Sequence, residues 1–269
     1  ALEWTFAEDL LALGLQPAGV ADIEGYKSWL QIPVELDETV ADVGTRQEPN
    51  LEAITALAPD LILAVNFRHA EIYDTLNAIA PTLMFDPYPV DGTHYDEMLA
   101  TFATVAQATG REAEAEAVLE GLTAKFAAAH SALEAAGRDG ETFILSQTYL
   151  ASEVPTFRLF TDNALAVQVL EQIGLENAWD DAAQPYGFST VDFEAFANIG
   201  DTNFLYVAQD DYQTTLTSLP LWNGLPFVQS GRAYWLGGDA WLFGGPLSMQ
   251  VVVDTVLSAM GIEQPEATE

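Results

Sequence analysis

The chain has 269 residues, enough for two packed lobes or one large domain. Its 41 acidic residues against 8 basic ones give a net charge of −33, a surface that repels nucleic acid and excludes DNA or RNA as partner. There is no cysteine, which excludes a redox dithiol, a thiolate zinc site and a disulfide framework. Hydrophobic residues make up 49%, so a packed fold is expected, and no apolar run is long enough to span a bilayer. The start at Ala1-Leu2-Glu3-Trp4 reads as the trimmed end of a precursor whose secretory signal has been removed. So acidic a surface suits solubility in saline surroundings, and any arginine kept in it becomes a candidate for a specific task.

Taken in chain order, residues 8–15 have apolar side chains at helical spacing and stop at Gly14, and 17–21 read as a short buried strand. Asn50 caps a helix that Pro59-Asp60 ends, 61–65 form an apolar strand, 70–80 a helix stopped by Pro81, and 83–85 a strand. This is βα alternation around a mostly parallel sheet. From about 95 to 136 the chain is rich in Ala, Glu and Leu with one break at Thr109-Gly110, and 111–136 read as a single helix of roughly 39 Å. Such a helix is either a spine between two lobes or an ordinary surface helix. Beyond it the βα pattern resumes: strands at 142–146, 204–208 and 233–236, helices at 163–173, 193–197 and 246–260. Two short segments recur in the same order on both sides of the long helix (11–15 with 171–175, and 51–54 with 193–196), which supports two similar α/β lobes. The expected limits are 1–105 and 138–269 for the lobes and 106–137 for the linker. Ligands of open α/β sheets bind beyond the carboxyl ends of the strands, so two facing lobes would enclose one cleft.

No catalytic motif is present. His69, His94 and His130 show no zinc-binding spacing; His94 is placed in a loop and His130 on the surface of the long helix. Nucleophile-elbow, dinucleotide and P-loop sequences are absent, and 41 carboxylates make any apparent catalytic pair uninformative. No enzymatic activity, metal site or cofactor is therefore expected. The candidates for binding are arginines and loop aromatics. Arg46 and Arg68 each follow a predicted strand, where loops line a cleft, and Arg158 is assigned to a second-lobe loop. A guanidinium offers forked donors suited to oxygen-rich ligands, though each arginine could equally pair with a local carboxylate. Tyr26 with Trp29, Tyr186 with Phe188, and Trp241 with Phe243 are placed in loops, where glycines beside the last two pairs suggest turns; each ring alone is more often core than pocket wall.

These same segments resemble the ferric-hydroxamate (ferrichrome) binding proteins of bacterial ABC importers, a class III solute-binding family. The similarity spans nearly the whole length. It is carried by ALEWTFAEDLLALGL at 1–15, GVADIEGYKSW at 19–29, DVGTRQEPNLE at 42–52, Asn177-Ala178-Trp179, LWNGLPFVQSG at 221–231 and AWLFGGPLS at 240–248. The resemblance implies an α/β protein with two Rossmann-like lobes joined by one long helix, a ligand cleft between them, and little movement on binding. It implies a monomer outside the cytoplasm, periplasmic or lipid-anchored, that captures a ferric siderophore and hands it to a membrane permease. Arg46 then matches the arginine that contacts hydroxamate oxygens, and Trp29, Tyr186 and Trp241 match pocket walls. Arg68 and Phe243 stand where related proteins have tyrosines, which suggests a taste for a more anionic ligand such as a citrate or carboxylate siderophore. Glu52 and Glu194 match the glutamates that dock the permease, although an exposed helix glutamate is the ordinary alternative in so acidic a chain. A haem binder of the same class, with His69 on iron and Arg68 on a propionate, is a competing reading. An enzyme acting on siderophores is a further one, without a flavin or nucleophile motif to support it.

Overall fold

The computed structural model describes residues 1–151, 154–200 and 202–263. The first lobe contains α1 (Trp4–Ala12), β1 (Gly19–Val20), α2 (Ile23–Trp29), β2 (Ala41–Asp42), α3 (Leu51–Leu57), β3 (Ile62–Val65), α4 (Asn66–His69), α5 (Tyr73–Ile79) and β4 (Thr82–Phe85). Both strand pairs, β1–β2 and β3–β4, are parallel. Ala1 and Leu2 stitch the pairs together: the Ala21 N–H donates to the Ala1 carbonyl at 3.1 Å and the Leu2 N–H to the Leu63 carbonyl at 2.9 Å. Glu3 is the next residue, so this stitch fixes its position.

Two helices follow, α6 (His94–Thr109) and α7 (Glu112–Ala135), with Gly110 in the left-handed region at the break between them. At 24 residues α7 is about 36 Å long. Both helices bridge the two halves of the core. Ala115 of α7 and Phe102, Val105 and Ala106 of α6 pack with Phe6, Leu63 and Val65 of the first lobe. Leu122, Phe126 and Leu133 of α7 and Met98 of α6 pack instead with second-lobe residues such as Phe143 and Leu205. The expected single spine is thus a helical hairpin: the stretch before Gly110 is itself a helix that, like the one after it, packs residues into both halves of the core.

The second lobe contains β5 (Thr142–Ala151), β6 (Val154–Phe160), α8 (Leu165–Gln172), β7 (Glu176–Asn177), β8 (Phe188–Val191), β9 (Asn203–Val207), α9 (Asp210–Ser218), α10 (Pro220–Asn223), α11 (Pro226–Gln229), β10 (Ala233–Trp235) and α12 (Pro246–Ala259). Its sheet runs β10-β9-β5-β6-β8, with β7 also paired to β5. The contacts among β10, β9, β5 and β7 are parallel, whereas β5–β6 and β6–β8 are antiparallel. Period-two alternation distributes the core over both faces. Phe143, Leu145, Leu205 and Val207 face the α7–α8–α12 layer. Ile144, Phe204, Tyr206, Phe157 and Leu159 face the other way, against Trp222 and Phe227. The antiparallel hairpin has a functional consequence. Arg158, expected in a loop, lies within β6, on the face opposite Phe157 and Leu159. No described helix is long and apolar enough to cross a membrane.

Candidate functional site

Three loops at the carboxyl ends of β2, β3 and β4 build one wall of a chamber between the lobes. The loop after β2 carries Arg46 and is pinned at its base: the Asp22 N–H donates to the Gly44 carbonyl and the Asn50 N–H to the Val43 carbonyl, both at 2.7 Å. Gly44 sits at φ +93°, and a Cβ there would come within 2.8 Å of the Asn50 nitrogen, so the turn requires glycine. The Arg46 guanidinium lies over the buried Trp4 ring, 3.4 Å from its centroid. Its Nη1 donates to Glu3 Oε1 at 2.8 Å. Phe67 and Arg68 follow β3; Arg68 Nη1 bonds the other oxygen, Glu3 Oε2, and its guanidinium lies 4.7 Å from the Phe67 ring centroid. Glu3, only 3% exposed, is therefore a carboxylate shared by two arginines. Asp22 Oδ2 lies 3.7 Å from Arg46 Nε, too far for a hydrogen bond. Tyr88, after β4, completes the wall; burial pushes its phenol up, and its hydroxyl donates weakly to the Phe243 carbonyl at 3.4 Å.

The facing wall comes from the second lobe. Arg158 spans the Tyr149 and Phe188 rings at 5.1 and 4.7 Å and donates to Gln147 Oε1 at 2.8 Å. No carboxylate lies within salt-bridge distance of it among the described residues, and its buried Nε has no hydrogen-bond partner. Tyr186 is held at φ +62°, a left-handed conformation that costs a non-glycine residue about 1 kcal/mol. The residue is 40% exposed, and its ring reaches across to Phe67 and Tyr88, with centroids 5.4 and 5.7 Å away. Trp241 and Phe243, after β10, close the chamber, which has a volume of about 370 Å³ and is open to solvent.

Beneath the chamber the lobes are fastened by α1 and α12. Helix α12 has no capping side chain of its own; Glu8 of α1 supplies one across the interface. Glu8 accepts from the Ser248 backbone N–H and from Ser248 Oγ, both at 2.6 Å. A carboxylate here meets free N–H groups and the positive end of a helix dipole. Burial nevertheless raises the pKa of Glu8, and raises that of the adjacent Asp9 further because of Glu8's charge. Gly244 and Gly245 make room for this pair, since a Cβ at either would strike Glu8, Asp9 or Ser248.

Six of the side chains singled out in the sequence — Arg46, Arg68, Arg158, Tyr186, Trp241 and Phe243 — line this one chamber. Trp29 does not. It ends α2 and backs Trp241 with ring centroids 6.3 Å apart, while Trp4 packs on Trp241 at 5.1 Å. Tyr26 belongs to the same helix and is buried. Phe188, singled out with Tyr186, lines the chamber too, but from the first position of β8 rather than from a loop. Glu3, Gln47, Phe67 and Tyr88 also line the chamber, and none was singled out for it. Phe67 and Tyr88 follow strand ends as Arg68 does, so the same positional rule would have found them. Nothing local marks Glu3, whose place depends on the long-range stitch of Ala1 and Leu2.

His130 lies partly exposed on α7, as expected, whereas the other two histidines depart from expectation. His94 is a buried residue opening α6, not a loop residue. His69 is fully buried, with Nδ1 accepting the Val65 N–H at 3.1 Å and Nε2 facing the Arg46 carbonyl at 2.8 Å. Those partners fix the neutral tautomer with the proton on Nε2 and leave no lone pair for iron. The competing reading, in which His69 ligates haem iron, is therefore overturned. Glu52 and Glu194 are exposed, one in each lobe, in matching settings: the Glu52 N–H is held by Asn50 Oδ1 at 3.1 Å and the Glu194 N–H by Asp192 Oδ1 at 2.9 Å.

Two α/β lobes, a helical hairpin between them and an open chamber walled by arginine and aromatic side chains define a solute-binding protein. The chain belongs to the periplasmic binding protein family, whose model matches residues 1–240. It is 28% identical over 269 residues to the iron(3+)-hydroxamate-binding protein FhuD of Escherichia coli (strain K12), covering 97% of this chain and 86% of that one. It is also 28% identical over 250 residues to the Fe(3+)-citrate-binding protein YfmC of Bacillus subtilis (strain 168), covering 89% and 73% of the two chains. Among solved structures, FhuD of Vibrio cholerae bound to Fe3+-Desferal superposes with a TM-score of 0.90 at 29% identity, covering 98% of this chain and 97% of that one. Membership of a family of binding proteins agrees with the expectation of capture rather than catalysis.

Proposed function

We propose that this protein captures a ferric siderophore, of hydroxamate type, outside the cytoplasm and delivers it as a monomer to an ABC importer. The observation that carries this reading is the convergence of Arg46, Arg68 and Arg158 with Tyr88, Tyr186, Trp241 and Phe243 on one open chamber. A siderophore already saturates its iron with oxygen ligands, so the protein needs hydrogen-bond donors for the chelate oxygens and flat apolar walls for the rest. The chamber has both. The likeness to hydroxamate-binding relatives and to a structure holding Fe3+-Desferal supports the ligand class. Lobe limits at 1–105 and 138–269, with 106–137 linking them, are part of the same proposal. So is docking to the permease through Glu52 and Glu194, whose matched exposed positions on the two lobes suit contact with a partner's arginines.

Tryptophan fluorescence titrated against ferrichrome, ferrioxamine B, ferric citrate and haemin tests the ligand class. Trp241 lines the chamber and Trp4 and Trp29 pack on it, so a bound coloured chelate quenches them. Saturable quenching by the hydroxamates is expected. Quenching by haemin alone, or by none of the four, would overturn the reading.

A further inference from the structure

The charge of the chamber is set by one residue, Glu3, which also caps α1, its Oε1 accepting from the Trp4 N–H at 3.2 Å. Arg46, Arg68 and Arg158 bring three cations to the chamber. Glu3 is the one carboxylate among the described lining residues, and each of its oxygens is bonded to a different guanidinium. With Asp22 at 3.7 Å from Arg46 Nε, two anions stand against three cations. The positive charge of Arg68, which in sequence suggests a more anionic ligand, is thereby offset inside the protein. Glu3 also takes one amino group from each of Arg46 and Arg68, so a ligand carboxylate would compete with it for those donors.

We propose that Glu3 is a specificity-determining residue: a built-in counter-charge that biases the chamber toward uncharged or cationic ferric chelates and against polyanionic ones. This rests on the chamber being the ferric-siderophore site. Its physical basis is that a buried carboxylate is screened little by salt and interacts strongly with a bound anion a few ångströms away. Like-charge juxtaposition of this kind works chiefly as discrimination between ligands, not as raw affinity.

The test is Glu3→Gln, which keeps the shape and an acceptor oxygen but removes the charge. Affinities of the wild type and the variant are measured for ferrichrome (uncharged), ferrioxamine B (with its free ammonium) and ferric dicitrate (anionic). The expected result is a ratio of citrate to ferrioxamine affinity that rises roughly tenfold in the variant, with ferrichrome in between. Arg68→Gln, measured alone, shifts the ratio the opposite way, and the double variant returns it toward the wild-type value; the single Arg68 variant keeps the test decisive if Glu3→Gln folds poorly. If all three affinities move together, or none moves, Glu3 only props up the arginines and the proposal falls while the ligand class stands. If the wild type binds none of the three, the ligand class and the proposal fall together.

Discussion

His69 shows how a single side chain can be spent on architecture. Its two ring nitrogens join the end of β3 to the Arg46 carbonyl, so it fastens one arginine-bearing loop to another strand end. Burial lowers its pKa below the ordinary 6.5, and burial does the same to His94. The sign follows from linkage: below 6.5 the unfolded chain takes up protons that the folded chain refuses, so these two histidines withdraw stability as pH falls through that value. Glu8 and Asp9 act in the opposite sense, because their raised pKa values favour the folded state at low pH. A comparison of variants separates the two. His69→Gln can still accept from Val65 and donate to Arg46 but cannot titrate. Between about pH 7 and pH 5.5 it is expected to lose less stability than the wild type, by up to about 1.4 kcal/mol per pH unit, read from urea unfolding at each pH. Parallel curves for the two proteins would remove His69 from the account.

At the scale of elements, the interface between α1 and α12 is where the lobes are held in register. Glu8 caps a helix of the other lobe, and both of its oxygens are used by Ser248. Ser248→Ala removes the hydroxyl donor and leaves one oxygen of a buried carboxyl without it. The expected cost is about 2 kcal/mol, seen as a lower urea midpoint with an unchanged slope. A midpoint equal to that of the wild type would mean that the backbone N–H alone satisfies Glu8. The bridging role of α6 and α7 belongs to this scale too. Each buries residues in both halves of the core, which opposes free hinge motion between the lobes.

At the scale of the molecule, a net charge of −33 coexists with a chamber lined by three arginines and one carboxylate. The surrounding acidity draws cations and repels anions at long range, and salt screens that effect. It acts on ligand approach in the same direction as Glu3 acts at contact. The exposed acids have a second proposed use in Glu52 and Glu194. Reversal of both charges to lysine is expected to abolish uptake in a reconstituted importer while changing ligand affinity less than about twofold, since surface charges away from a site act mainly on encounter. A loss of ligand affinity in that variant would assign the two glutamates to the pocket or to folding instead.

Much of this was legible along the chain. Apolar runs marked β3, β4 and β9, the Ala-, Glu- and Leu-rich composition marked the long helix α7, and Asn50 and Gly110 punctuated the chain as capping chemistry dictates. Composition alone removed thiol chemistry and nucleic acid, because those depend on residue counts and charge. Arg46 and Arg68 could be singled out because strand ends in α/β lobes face the ligand. What only the tertiary structure decided depends on contacts between residues far apart in sequence. Arg158 lies in a strand because β6 pairs with β5 and β8, a pairing that no local pattern encodes. His69 is barred from iron by a strand and a loop on either side of its ring. Glu3 reaches Arg46 and Arg68, 43 and 65 residues away, only because the first two residues bridge separate strands. Sequence determines which groups a chain carries and which local structures they favour; which charges neutralise one another is settled by distance in the folded molecule, because a charge pair acts through its separation and its burial.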